Sequence, residues 1–325
     1  MANDDQRGGA RGWRGVGWLA FLALAVVELA AHAVIQARVV DDDDWSQAAE
    51  RVRDGYAPGD LIVASPSWAD PLVRRELGEL MSLEDAAPAD LAQHRRLWVL
   101  SIRGHRPEIA PPTAPQLSEQ IGRVRVLRWE LPQPQEVLYD FVEHVDDARV
   151  SRVEGERELP CRFVPGGRPQ GGGLGAGPIT PARRHLCDPA RPWLWVGETV
   201  LDDLDMQPRH CIWQHPQGAE PIRARFPNVP LGDEIVLYAD LYYEHERHRE
   251  HAPISVALFV DDEPVGRMTH RDGDGWKRMV ASTRHAARGD RERGEVRVEV
   301  TSDDPHLRTL CWAATTRTAP GDGGP

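Results

Sequence analysis

Residues 254–276 read Ile254-Ser-Val-Ala-Leu-Phe-Val260, then Asp261-Asp262-Glu263, then a second run ending at His270, then Asp272-Gly-Asp-Gly-Trp276. An apolar run, an acidic turn, a second run and a Gly-rich turn make a strand–turn–strand–turn unit. The same rhythm continues on both sides. Upstream, Glu234-Ile-Val-Leu-Tyr-Ala-Asp-Leu-Tyr-Tyr243 alternates over about ten residues. Downstream, Gly294 to Thr301 places Val296, Val298 and Val300 on one face, with Arg297 and Glu299 on the other. Trp193 to Val196, Arg209 to His215 and Leu310 to Ala314 complete the set. Short strands with regular turns predict an antiparallel β-sandwich of jelly-roll type over 190–317.

The pattern changes upstream. Trp45 to Tyr56 has helical spacing, with Ala48, Ala49 and Val52 on one side, and Pro58-Gly59-Asp60 ends it. Leu61 to Ala64 is a wholly apolar strand of the kind buried in parallel sheets. A second helix over 70–81, a second strand over 96–102 and a third over 124–131 follow. This order predicts a small doubly wound, Rossmann-like α/β domain over 45–144. Residues 145–189 read as a Gly/Pro-rich connection, with PGGRPQGGGLGAGP inside it, and 318–325 as a disordered tail. The fold class is α+β overall.

The N-terminus decides location. The run from Gly15 to Ala37 is about the length that spans a bilayer as a helix. Arg7, Arg11 and Arg14 precede it and Asp41-Asp42-Asp43-Asp44 follow it. That bias predicts a cytoplasmic tail over 1–14, an anchor over 15–37 and an exported body. A signal peptide cleaved at Ala31-His32-Ala33 is the alternative, and it exports the body equally. Four cysteines, all in that body, favour two disulfides. The first and last full strands of a sandwich often run side by side, so Cys211 is expected to pair with Cys311, leaving Cys161 for Cys187. Net charge is −12, which argues against a nucleic-acid partner. Of 39 basic residues all but Lys277 are arginine, a bias expected of a GC-rich bacterial gene.

Two stretches resemble known modules. Trp45-x-x-Ala-Ala, Pro58-Gly-Asp-Leu-Ile-Val, Pro66-x-Trp68 and Arg96-Leu-Trp-Val-Leu resemble a soluble extracytoplasmic domain appended to bacterial membrane glycosyltransferases that use lipid-linked sugars. Cys211-Ile-Trp-Gln-His-Pro, Val229-Pro-Leu-Gly, Val256-Ala-Leu-Phe-Val-Asp-Asp and Asp274-Gly-Trp276 resemble the carbohydrate-binding-like sandwich at the C-terminal end of such proteins. The transferases need many membrane helices to hold a lipid-linked sugar, and this chain has one candidate. The resemblance therefore implies an accessory surface protein, partnered by glycans or an envelope glycosylation enzyme, and not a transferase.

Candidate chemistry is sparse. His245, His248 and His251 recur every third residue but lack the His-Glu-x-x-His pattern, and no metal is expected there. Asp261, Asp262, Asp272 and Asp274 suit calcium or plain turn chemistry. Ser65 stands outside a Gly-x-Ser-x-Gly elbow. Trp68 and Asp70 follow the first strand, where α/β folds bind ligands. Trp213, Tyr242 and above all Trp276 are the aromatic candidates for sugar contact on the sandwich, while Trp312 is expected against a disulfide. No catalytic residue and no cofactor is assigned. The expected function is non-catalytic glycan binding on a single-pass envelope protein. The alternatives are an exported hydrolase or transferase at the carboxyl ends of the α/β strands, and a structural interaction module.

Overall fold

The computed structural model describes residues 10–36, 39–81, 90–169, 180–204, 207–248, 250–284 and 292–318. Most of the tail expected over 1–14, the centre of the Gly-rich stretch and the tail from 319 lie outside them. Helix α1 (Ala10–Gln36) carries the apolar run. From Trp18 to Gln36 it is long and apolar enough to cross a membrane or act as a signal, and none of it packs on the body.

Helix α2 (Asp42–Gly55) opens with Asp42, Asp43 and Asp44, whose charges suit the positive end of a helix dipole. It buries Trp45, Ala48, Ala49 and Val52. Strand β1 (Asp60–Ser65), helix α3 (Asp70–Leu77), β2 (Arg96–Ile102), β3 (Leu117–Ile121) and β4 (Val124–Glu130) follow. They form a four-stranded sheet in the order β1-β2-β4-β3. Here the doubly wound expectation needs correction. β1 and β2 are parallel, but β4 runs antiparallel to both β2 and β3. A parallel return needs a crossover helix. The chain between β2 and β3 instead carries Pro107, Pro111, Pro112 and Pro115 and forms no helix, so a hairpin fills the edge. Asp44 reaches that hairpin's tip and accepts the Arg123 N–H at 3.0 Å. Gly122 sits there at φ +52°, and a Cβ on it would meet Asp44 Oδ1 at 1.7 Å.

The sandwich begins well before residue 190. Strands β5 (Val137–Asp140), β6 (Arg149–Glu154), β7 (Arg157–Pro160), β8 (Arg162–Val164) and β9 (Arg184–Leu186) lie within or before the expected connection. They join β10 (Trp195–Asp202), β11 (Pro208–Gln214), β12 (Ile222–Pro230), β13 (Glu234–Leu241), β14 (Ile254–Val260), β15 (Glu263–His270), β16 (Lys277–Ser282), β17 (Arg293–Ser302) and β18 (Leu310–Arg317). One short helix, α4 (Tyr243–Glu246), interrupts them. One sheet runs β16-β13-β18-β11-β10-β9-β8, with β5 also on β18; the other runs β15-β14-β17-β12-β6-β7.

Inward residues of both sheets make one core, with Phe226, Leu237, Val256, Val298 and Trp312 at its centre. Gln214 is a polar member of this interior. Fully buried, it donates to Ile222 O at 2.9 Å in the opposite sheet and accepts the Trp312 indole N–H at 3.0 Å. Both disulfides form as expected, Cys161–Cys187 and Cys211–Cys311. Cys161 lies where the chain leaves β7 for β8 in the other sheet. Cys211 and Cys311 lie on adjacent β11 and β18, on the outer face of their sheet, with Leu201 and Tyr242. Trp312 therefore points the other way from Cys311, into the core rather than onto the disulfide.

Candidate functional site

An open cleft of about 610 Å³ lies between the carboxyl end of β1 and the outer side of the sandwich. One wall is Ser65, Pro66, Ser67, Asp70, Arg74 and the turn from His105 to Ile109. The other is Leu204, Gln207, Arg209 and the loop from Gly273 to Trp276. Asp70 opens α3 and accepts Arg74 Nε at 2.6 Å, while Arg74 Nη1 donates to Met81 O at 2.6 Å. Arg209, nearly buried, donates to Asp203 at 2.6 Å and to Gln207 Oε1 at 3.0 Å. Its guanidinium lies 5.4 Å from the Trp276 ring. The charged groups are thus fixed in paired positions before any ligand arrives.

The loop bearing Trp276 is held from several sides. Asp274 accepts the Arg271 N–H at 3.0 Å and Lys277 Nζ at 2.9 Å. Asp272 accepts Arg308 at 2.6 Å and the His251 N–H at 3.0 Å. Glu246 Oε1 accepts the N–H groups of Gly273 and Gly275, each at 3.0 Å. Both glycines have positive φ, +87° and +63°, so the turn needs them. Beneath this loop Asp240, Glu246 and His270 are fully buried together. Burial pushes Asp240 up to about 7. Burial and then the Asp240 charge push Glu246 up to about 8. Burial lowers His270.

The expected site residues separate into two groups. Asp70 and Trp276 face each other across the cleft. Trp276 is half-buried rather than a free rim platform: Tyr238 lies parallel to it at 6.2 Å and the disulfide cluster packs against it. Trp213 is buried, stacked on Trp195 at 4.9 Å. Tyr242 is buried against Leu201 and the Cys211–Cys311 bridge. Trp68 is half exposed outside the cleft lining, with Arg103 5.9 Å from its ring. The three clustered histidines do not converge: His245 bonds Thr309 Oγ1 at 2.8 Å, His251 bonds Asp272 and His248 is exposed. The four turn aspartates sit at opposite ends of β15; Asp274 bonds within its own turn, while Asp261, Asp262 and Asp272 reach Glu295, Arg297 and Arg308 on or beyond β17.

Sequence reading missed Arg74, Arg209 and the buried trio. Asp240 did carry a signal, as the one acid inside the apolar run Ile235–Leu241. Arg209 and Glu246 gave none.

No protein-family model and no curated protein sequence matches the chain. Among solved structures it is similar to the CBM51-2 module in complex with GlcNAc and INT domains of Clostridium perfringens ZmpB, at 16% identity and TM-score 0.29. That match covers 38% of this chain and 25% of the other, so the chain spans a quarter of that protein's length. A CBM51 from Clostridium perfringens GH95 in complex with methyl-galactose matches at 12% identity and TM-score 0.27, covering 37% of this chain and 81% of that one. The xylan-binding module CBM15 matches at 10% identity and TM-score 0.24, covering 53% of this chain and 99% of that one. These are carbohydrate-binding modules.

Proposed function

We propose that the protein is a non-catalytic, membrane-anchored envelope protein that binds a glycan in the cleft between the mixed sheet and the sandwich. The cleft itself carries this reading. Its volume falls in the range of small-molecule sites. A sugar presents an apolar face and hydroxyls that both donate and accept. The cleft offers the Trp276 ring, the Asp70 carboxylate and the guanidinium groups of Arg74 and Arg209. The Asp70–Arg74 and Asp203–Arg209 ion pairs preorganise the charged groups, which lowers the cost of binding. The anchor is α1 from residue 15 onward, with residues 1–14 cytoplasmic and the body outside, supported by the flanking charges and the two disulfides. An envelope glycosylation enzyme is the partner such a module would serve.

A glycan array of the purified full chain, followed by titration of the best binder, tests this. Trp276→Ala is expected to weaken binding severalfold, stacking being worth about 1 kcal/mol. Asp70→Asn is expected to weaken it further, and Trp68→Ala to leave it unchanged. Lost stability with unaltered affinity in Trp276→Ala would overturn the cleft as the site.

A hydrolase or transferase is the second reading, because the cleft opens at the carboxyl end of β1 with Ser65, Asp70 and His105 on one wall. Against it, Asp70 and Asp274 are engaged by Arg74 and Lys277 and Glu108, the third acid on the lining, is exposed, whereas glycoside cleavage uses a general acid in a sheltered environment. Release of product from any bound glycan would favour the second reading over the first.

A further inference from the structure

The geometry points to a buried structural site for a divalent transition metal, zinc foremost, formed by Asp240, Glu246 and His270 beneath the Trp276 loop. The three residues come from the end of β13, from α4 and from the end of β15. Each offers one ligand atom, and these atoms lie within 4.8 Å of one another. All three side chains are fully buried. Asp240 Oδ2, Glu246 Oε2 and His270 Nδ1 have no hydrogen-bond partner. Buried polar atoms are rarely left so, and three in one cluster call for a ligand.

Two carboxylates this close must either share a proton or hold a cation between them. The basic group of the chain beside them is His270, whose Nε2 lies 3.5 Å from Asp240 Oδ1. The neighbouring arginines are committed elsewhere, Arg209 to Asp203 and Arg308 to Asp272. Imidazole with carboxylate oxygens is a donor set that zinc accepts, and an imidazole ligand disfavours magnesium and calcium. The remaining atoms are already oriented as outer partners of a metal site usually are. Glu246 Oε1 takes the Gly273 and Gly275 N–H groups, Asp240 Oδ1 takes the Leu241 N–H at 2.7 Å, and His270 Nε2 lies 2.8 Å from Gly275 O. The ion would tie α4 and the loop at the cleft to β13. This inference does not depend on what the cleft binds.

The test is zinc titration of the full chain after chelator treatment. One zinc per chain is expected, with a Tm rise of roughly 5 °C at saturating metal. Glu246→Gln and Asp240→Asn should weaken binding about tenfold or more, while His248→Ala, at the exposed neighbour, should not. No uptake by the wild-type chain, or equal uptake by Glu246→Gln, would overturn the site. Should the variants fail to fold, X-ray absorption of the zinc-loaded wild type still decides. One imidazole in the zinc shell supports the assignment. Two or more would place the ion on the His245 to His251 segment, and none would place it outside His270.

Discussion

His215 shows how a single side chain sets a condition on the whole fold. It is buried, with Nδ1 2.7 Å from Pro216 O and its ring edge-on to Trp193 at 4.6 Å. Burial, then the nearby His245 and Arg308 charges, push its pKa down to about 4. An unfolded histidine titrates near 6.5. As pH falls below that value the unfolded chain takes up the proton first, so folding stability is complete above about 6.5 and is lost toward 4. His215 therefore contributes a fall in melting temperature between pH 7 and pH 4.5. The lowered His245, His270 and His185 act in the same sense. The raised Asp240 and Glu246 act against it, and their contribution grows as pH falls. His215→Gln should remove this residue's share, so that acidification from pH 7 to pH 4.5 lowers the melting temperature of the variant less, or raises it more, than that of the wild type. A slope identical in wild type and variant would refute the assignment. Such residues are hard to read beforehand. His215 and Trp213 belong to a run that looks like any β-strand, and only packing makes one a buried neutral base and the other a stacking partner of Trp195. Asp70 and Trp276 were legible because each follows a break in a periodic run. Their partners Arg74 and Arg209 were not, since arginine is common throughout this chain and its pairing is a matter of tertiary contact.

At the level of elements, the strands that emerged most clearly from sequence are those with strong alternation or a continuous apolar run: β1, β2, β13, β14 and β17. Those overlooked are β3, β5 to β9, β12 and β16; most are short and half-buried, while the nine-residue β12 hides its alternation behind Arg223, Arg225 and Pro227. Arg149–Glu154 and Arg157–Pro160 alternate charge rather than hydrophobicity, and β7 lies at a sheet edge. Edge strands carry little apolar signal because one flank meets water. The mixed sheet was misread for a different reason. Three of its four strands were read and β3 was missed; direction depends on the connection, and the Pro-rich segment before β3 leads into a hairpin rather than a crossover helix. The Cys211–Cys311 bridge joins β11 to β18, which share a two-pair ladder at Ile212–Trp312 and Trp213–Cys311. It closes a loop of 100 residues. Replacing both cysteines by serine is expected to cost about 2–5 kcal/mol in denaturant unfolding. It should also loosen Trp276, which packs against the same cluster. A double variant as stable as the wild type would show that the strand ladder alone holds this edge.

For the whole molecule, the mixed-sheet unit and the sandwich are joined by more than a linker. Arg317, almost fully buried at the end of β18, bonds the Asp90 carboxylate and donates to Thr315 Oγ1 at 2.7 Å. Gln135 donates its backbone N–H to Ala92 O at 2.7 Å on one side and its side-chain amide to Glu234 at 3.2 Å on the other. The cleft thus has two walls fixed to one another. The proposed orientation is tested by applying protease to intact spheroplasts, which should degrade the body and spare what lies within the bilayer. A body protected until lysis would place it in the cytoplasm and remove the envelope reading.

The short path from α1 to α2 has a consequence of its own. Residues 37–41 alone separate the two helices, and five residues reach at most about 17 Å when fully extended. With α1 in the bilayer, as proposed, the body is mounted on the lipid surface like a bracket on a wall. It cannot sweep the surrounding space as a tethered receptor does. What it captures must come to the membrane plane or already reside there, such as sugars on lipid carriers or on neighbouring surface proteins.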